Sequence, residues 1–196
     1  MKFPILPVLT ILGGMVLLNS NTHEPNTYQI ARRSAISYLR MLPQRSTVVF
    51  DFDETLFHPR TVIDTEYSGN REFWYSDRHP VHIYAPIHEM IDVLQVASSL
   101  GHRIVIITAR PDTPATRATI MANFKRRDMH FDELHTAKQE STTDFKARLR
   151  HRLDSNNWVS LTIGDQWPDV RSPGRAQWIK LPDRHDRGLH MSLPHI

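Results

Sequence analysis

Three short apolar runs rich in β-branched residues constrain the architecture most: residues 47–50 (Thr-Val-Val-Phe), 103–108 (Arg-Ile-Val-Ile-Ile-Thr) and 158–163 (Trp-Val-Ser-Leu-Thr-Ile). Each is too short for a buried helix and is bounded by polar or turn residues, the pattern of a strand covered on both faces. Helical spacing fills the intervals. Tyr28, Ile30, Ala31, Ala35, Tyr38, Leu39 and Leu42 recur at helical spacing before Pro43, which stops the helix. Ile87, Met90, Ile91, Leu94, Ala97 and Leu100 do the same between Pro86, suited to a first helical turn, and Gly101, suited to a C-terminal cap. Further helices are expected over 114–127 and from Thr142 or Thr143 to 153, with short strands at 131–134 and 177–181. Strands alternating with helices predict a mostly parallel sheet between two helical layers. The functional site of such a sheet lies beyond the carboxyl ends of its strands.

Those ends carry the chemistry. The first strand runs directly into Asp51 and Asp53, followed by the hydroxyl of Thr55, the second ends at Thr108, and the third ends at Gly164-Asp165, with Asp169 just beyond. Carboxylates at the end of a buried strand require a compensating partner. A dense set of oxygen ligands best suits Mg²⁺, a hard cation usually held by one or two carboxylates together with substrate phosphate. Phosphoryl transfer also calls for a fixed cation, because its transition state spreads negative charge over the equatorial oxygens. Lys146, near the start of the fourth helix, is placed to supply it. Lys138 competes for that role, and Lys146 is preferred because one helix and one strand separate it from Asp165.

Together these residues resemble the phosphatases of the haloacid dehalogenase-like (HAD) superfamily, whose four motifs occur here in order: Asp51-Phe-Asp53-Glu-Thr55, Thr108, Lys146 and Gly164-Asp165-Gln-Trp-Pro-Asp169. Phe145-Lys146-x-x-x-x-Arg150, the run through Trp167 and the closing Ile179-Lys180-Leu181-Pro182 are similar to the plant and bacterial class B type of acid phosphatase. The resemblance implies a three-layer Rossmann-like α/β fold. It implies Asp51 as nucleophile forming an aspartyl-phosphate, Asp53 as general acid and base, and Thr108 as a hydrogen-bond partner of the phosphoryl group. Lys146 is then the cation that neutralises phosphate and nucleophile. Mg²⁺ is expected on Asp51, the Asp53 carbonyl and Asp165, with Asp169 as a water-mediated contact. The gaps from Thr55 to Thr108 and from Thr108 to Lys146 leave no room for the large cap domain of bigger members. The expected substrate is a small phosphomonoester. Transfer to an acceptor alcohol, or a catalytically silent storage or binding role on the same fold, are the alternatives.

With 196 residues the chain accommodates one such domain, over 27–183, and a short appendage. A net charge of +3, with Lys and Arg dispersed, gives little reason to expect nucleic acid, although Lys125-Arg126-Arg127 and Arg148, Arg150 and Arg152 are local clusters. The absence of cysteine excludes disulfides, thiolate metal sites and a cysteine nucleophile. Residues 3–18 form an uncharged apolar run, shorter than the roughly 20 residues that span a bilayer and interrupted by Pro4, Pro7, Gly13 and Gly14. Residues 1–22 are therefore read as a signal peptide or membrane anchor, with secretion or membrane attachment to follow. The long stretch from Phe57 to Ala85 is expected to supply substrate selectivity, with Trp74 able to stack on an aryl ring or base. His185, His190 and His195 recur in the tail, but their five-residue interval shares no helical face, and 184–196 is expected to be flexible.

Overall fold

The computed structural model describes residues 16–18, 25–59, 81–137, 142–154, 159–171, 175–183 and 186–194. Within them the chain runs β1 (Val16–Leu18), α1 (Pro25–Met41), β2 (Thr47–Phe50), β3 (Phe57–His58), β4 (Ala85–Pro86), α2 (His88–Ser99), β5 (Arg103–Pro111), α3 (Pro114–Lys125), β6 (Glu133–Ala137), α4 (Thr142–Asp154), β7 (Val159–Gly164), α5 (Trp167–Val170), β8 (Gln177–Lys180) and β9 (Leu189–Met191). Seven strands form one sheet in the order β1-β9-β8-β7-β2-β5-β6, and β3 and β4 pair separately. The five strands from β8 to β6 are parallel, whereas at the other edge β9 pairs antiparallel with β8 and β1 antiparallel with β9. The expected mostly parallel α/β sheet is present, and the described residues contain no large cap.

Alternation along the strands builds the layers. Val48, Phe50, Ile104, Ile106, Leu161 and Ile163 join one buried cluster with α1, α2 and α3, while Val49, Val105, Ile107 and Val159 join a second with Leu149 of α4. Fully burying such a side chain contributes about 1.5–3 kcal/mol over exposure. A one-residue slip would exchange the two faces, so the register of β2 between β5 and β7 is strongly specified. That register sets Asp51 beside Asp165 at the carboxyl end of the sheet.

Several boundaries differ from expectation for identifiable reasons. Pro86 belongs to β4 opposite Phe57 rather than to the first turn of α2, which begins at His88 after the backbone N–H of Ile87 donates to the carbonyl of Leu56 at 2.9 Å. Gly101 does close α2, with a φ of 76° and its N–H donating to the Ser98 carbonyl at 2.9 Å. Strand β5 continues past Thr108 to Pro111 through an irregularity in its pairing with β6 between those two residues. The tail expected to be flexible contributes β9, whose Leu189 is buried and whose Met191 pairs with Ile179. Ser192 anchors it further, its Oγ accepting from the Trp178 N–H at 2.9 Å.

Val16–Leu18, inside the apolar leader, pairs with β9 as an edge strand. The rest of that leader lies outside the described residues. Among the described residues no helix is long and apolar enough to cross a membrane.

Candidate active site

The site begins where β2 ends. The Asp51 N–H donates to the Ile163 carbonyl at 3.0 Å, which ties the acid to β7. Two residues later the backbone reverses. Glu54 takes the left-handed region with φ of 54°, its N–H donates to the Phe57 carbonyl at 2.8 Å, and its carboxylate lies 3.0 Å from Nδ1 of His58. A left-handed residue other than glycine is uncommon and concentrates at functional turns. This turn leaves Asp51 buried, Asp53 30% exposed and Thr55 fully buried with no hydrogen-bond partner for its hydroxyl.

Lys146 approaches from α4. Its Nζ lies 2.7 Å from Oδ1 of Asp51 and also bonds Oδ1 of Asp169. The other oxygen of Asp169 accepts from the Gln166 N–H at 2.9 Å, capping α5, so this one side chain joins the turn after β7 to the lysine. Arg150, one turn beyond Lys146, is 1% exposed and donates to the carbonyls of Pro168 and Arg171. It fixes α5 from below and is no part of a basic surface, contrary to its grouping with Arg148 and Arg152.

Asp51, Asp165 and Asp169 are all buried and offer oxygen atoms within 4.8 Å of one another. Burial, then Asp169, hold the Asp51 carboxyl well above the ordinary carboxylate range despite Lys146. The same two causes push Asp165 up to about 7. Burial would lower the lysine, but Asp169 and Asp51 outweigh it and hold Lys146 well above its usual value. Three acids facing one fixed cation leave the cluster short of positive charge, and the all-oxygen donor set fits a hard divalent ion. Asp53 contributes to that cluster through its charge, while its carboxylate is directed elsewhere.

That direction was not legible from the motifs. Arg110, 4% exposed, forks onto Asp53: Nη2 donates to Oδ1 at 2.7 Å and Nε to Oδ2 at 3.0 Å. Both carboxylate oxygens thus accept from one guanidinium, which fixes the orientation of the acid. Thr108, fully buried, lies between them, its Oγ1 accepting from the Arg110 N–H at 3.2 Å and standing 3.5 Å from Oδ2 of Asp53. Arg110 is one of two extra residues in the β5 irregularity, where unpaired residues re-orient side chains. The available signal was an arginine two residues beyond Thr108 at a strand end. Trp74 and the competing Lys138 lie outside the described residues.

The structure thus brings together Asp51, Asp53, Thr108, Lys146, Asp165 and Asp169. Residues 18–185 match the family model described as HAD superfamily, subfamily IIIB (acid phosphatase). The chain belongs to that subfamily. Solved structures similar to this subfamily IIIB chain include a class C acid phosphatase from Bacillus anthracis, 18% identical, with a TM-score of 0.54 over 74% of this chain and 62% of the other. A class C acid phosphatase from the same organism with tungstate bound is 16% identical, with a TM-score of 0.53 over 76% of this chain and 66% of the other. These likenesses support the fold, and the chain spans less than two thirds of the length of these structures. No curated protein matches the subfamily IIIB chain.

Proposed function

We propose that the chain is a Mg²⁺-dependent phosphomonoesterase that works through an aspartyl-phosphate on Asp51. The observation carrying this reading is Lys146 bridging Asp51 and Asp169 beside Asp165, a buried cation and acid cluster at the carboxyl end of the sheet. Mg²⁺ held by Asp51, Asp165 and the Asp53 carbonyl, with Asp169 reaching it through water, would offset the repulsion between an anionic nucleophile and an anionic substrate.

The chain's own groups divide the remaining work. The free oxygen of Asp51 attacks phosphorus while the ester oxygen leaves on the opposite side. Lys146 balances charge on the nucleophile and the transferring group, and the hydroxyls of Thr55 and Thr108 donate to phosphoryl oxygens. Protonated Asp53 gives its proton to the departing alkoxide. Once ionised, it takes a proton from the water that attacks the phosphorus of the aspartyl-phosphate, releasing phosphate and restoring Asp51. An alcohol in place of that water would give phosphotransfer by the same steps.

Hydrolysis of 4-nitrophenyl phosphate with Mg²⁺, with chelator and with Asp51→Asn tests the reading. Activity that needs the metal and disappears in Asp51→Asn supports it; activity surviving the substitution sinks the nucleophile assignment. Residues 3–18 are proposed to export or anchor the protein, and comparing the mass of exported and full-length chains distinguishes cleavage from retention. Cleavage after residue 22 would also remove β1.

A further inference from the structure

We propose that Tyr84 is a positioning residue for Asp53, acting through Arg110. The Nη1 of Arg110 donates to the Tyr84 hydroxyl at 3.3 Å, while Nε and Nη2 grip Asp53. The guanidinium carbon lies 5.0 Å from the ring centroids of both Tyr84 and Phe52, which stand 6.3 Å apart and tilted by 70°, so the cation rests in an aromatic corner. The corner and the hydrogen bonds to Tyr84 and Asp53 limit its rotation, and the carboxylate it grips is limited with it.

Tyr84 is itself fixed from outside the motifs. Its N–H donates to Oδ1 of Asn123 at 2.8 Å, and its carbonyl accepts from Nη2 of Arg127 at 2.8 Å. Asn123, fully buried in α3, also donates to the carbonyls of His82 and Thr119 at 2.7 and 2.8 Å. Arg127 lies 5.1 Å from the ring centroid of Phe57, on the far side of the turn that carries Asp53. Burial, the main influence on the Tyr84 phenol, raises its pKa and keeps the hydroxyl neutral. A neutral hydroxyl accepts from Arg110 without competing with Asp53 for its charge. The chain Asn123, Tyr84, Arg110, Asp53 therefore aims the acid from a helix that supplies none of the four motifs.

This inference rests on Asp53 being the general acid, and the test separates the two. Tyr84→Phe removes the hydroxyl and keeps the ring. Its kcat/KM is measured for 4-nitrophenyl phosphate, whose leaving group needs little protonation, and for a simple alkyl phosphate, whose leaving group needs much. The expected result is a loss about tenfold greater on the alkyl ester, a fraction of the 10²–10⁴ that general acid catalysis contributes, with an unchanged melting temperature. In an Arg110→Met background the same substitution should have no further effect. Equal loss on both esters, or an undiminished effect without Arg110, would overturn the positioning role. Asp53→Asn is the control: its own failure to discriminate the esters would overturn the acid assignment and the inference with it.

Discussion

A Cβ placed on Gly164 would lie 2.2 Å from the Cβ of Asp169. The last residue of β7 thus has no side chain because the acid that caps α5 and bonds Lys146 occupies that volume. Gly164→Ala should displace α5, costing about 1–3 kcal/mol as an overpacking change and removing most activity although every acid remains. Gly101→Ala is the contrast: nothing lies within 4 Å, so only its φ of 76° is penalised. It should lose about 1–2 kcal/mol and keep its kcat. Thermal melts and turnover on both variants check the pair.

Lys146→Met should lower kcat by about 10²–10³, the range for deleting one preorganised charge-stabilising group. It also leaves Asp51 and Asp169 buried without their cation, which by analogy with broken buried ion pairs costs about 3–5 kcal/mol. Denaturant melts and single-turnover kinetics read the two effects separately. Wild-type stability with unchanged kcat would remove Lys146 from the site.

The metal-free protein should become less stable as pH rises from about 4 to about 7. Asp165 is raised to about 7 against an ordinary value near 4, and Asp51 is displaced in the same direction. The folded state therefore binds more protons than the unfolded state in that window, and stability falls with pH. Mg²⁺ bound as proposed would replace those protons, so its stabilisation should be greater at pH 7.5 than at pH 5. A difference in melting shift of about 3 °C corresponds to roughly 1 kcal/mol for a chain of this size. An equal shift at both pH values would contradict the assignment of Asp165 as a ligand.

Deleting residues 186–196 should lower the melting temperature by more than about 4 °C, the upper end for 1 kcal/mol in a domain of this length. Lys180, fully buried, pairs with Asp186 at 3.6 Å and Asp183 at 3.1 Å, and β9 covers the outer edge of β8. Removal leaves a buried cation with half of its countercharge and an open strand edge. A melt indistinguishable from the full chain would show the tail to be dispensable.

The order of strands and helices was legible because burial on both faces leaves continuous β-branched runs, and Asp51, Asp53, Thr108 and Asp165 stand at the ends of those runs. Lys146 was legible from its place on the helix before β7. Arg110 was not: an arginine is ordinarily read as solvated, and its burial depends on Asp53, 57 residues earlier. Strand β9 was equally hidden. Leu189-His190-Met191 is too short a run to read as a strand from its alternation, and it becomes one because β8 offers an unpaired edge.

Lys146 and Asp51 are 95 residues apart in the chain, and Asp53 and Arg110 are 57 apart. Each acid at the end of β2 thus receives its cation from a distant, later part of the sequence, and each pairing exists only after β2 has been enclosed by β5 and β7. During refolding, recovery of turnover should therefore lag behind recovery of helical circular dichroism, because catalysis requires the slowest, longest loop closures. Turnover under the proposed function would then act as the clock for completion of the topology, because the site exists only once Asp51 and Asp165, at opposite ends of that span, have been brought together.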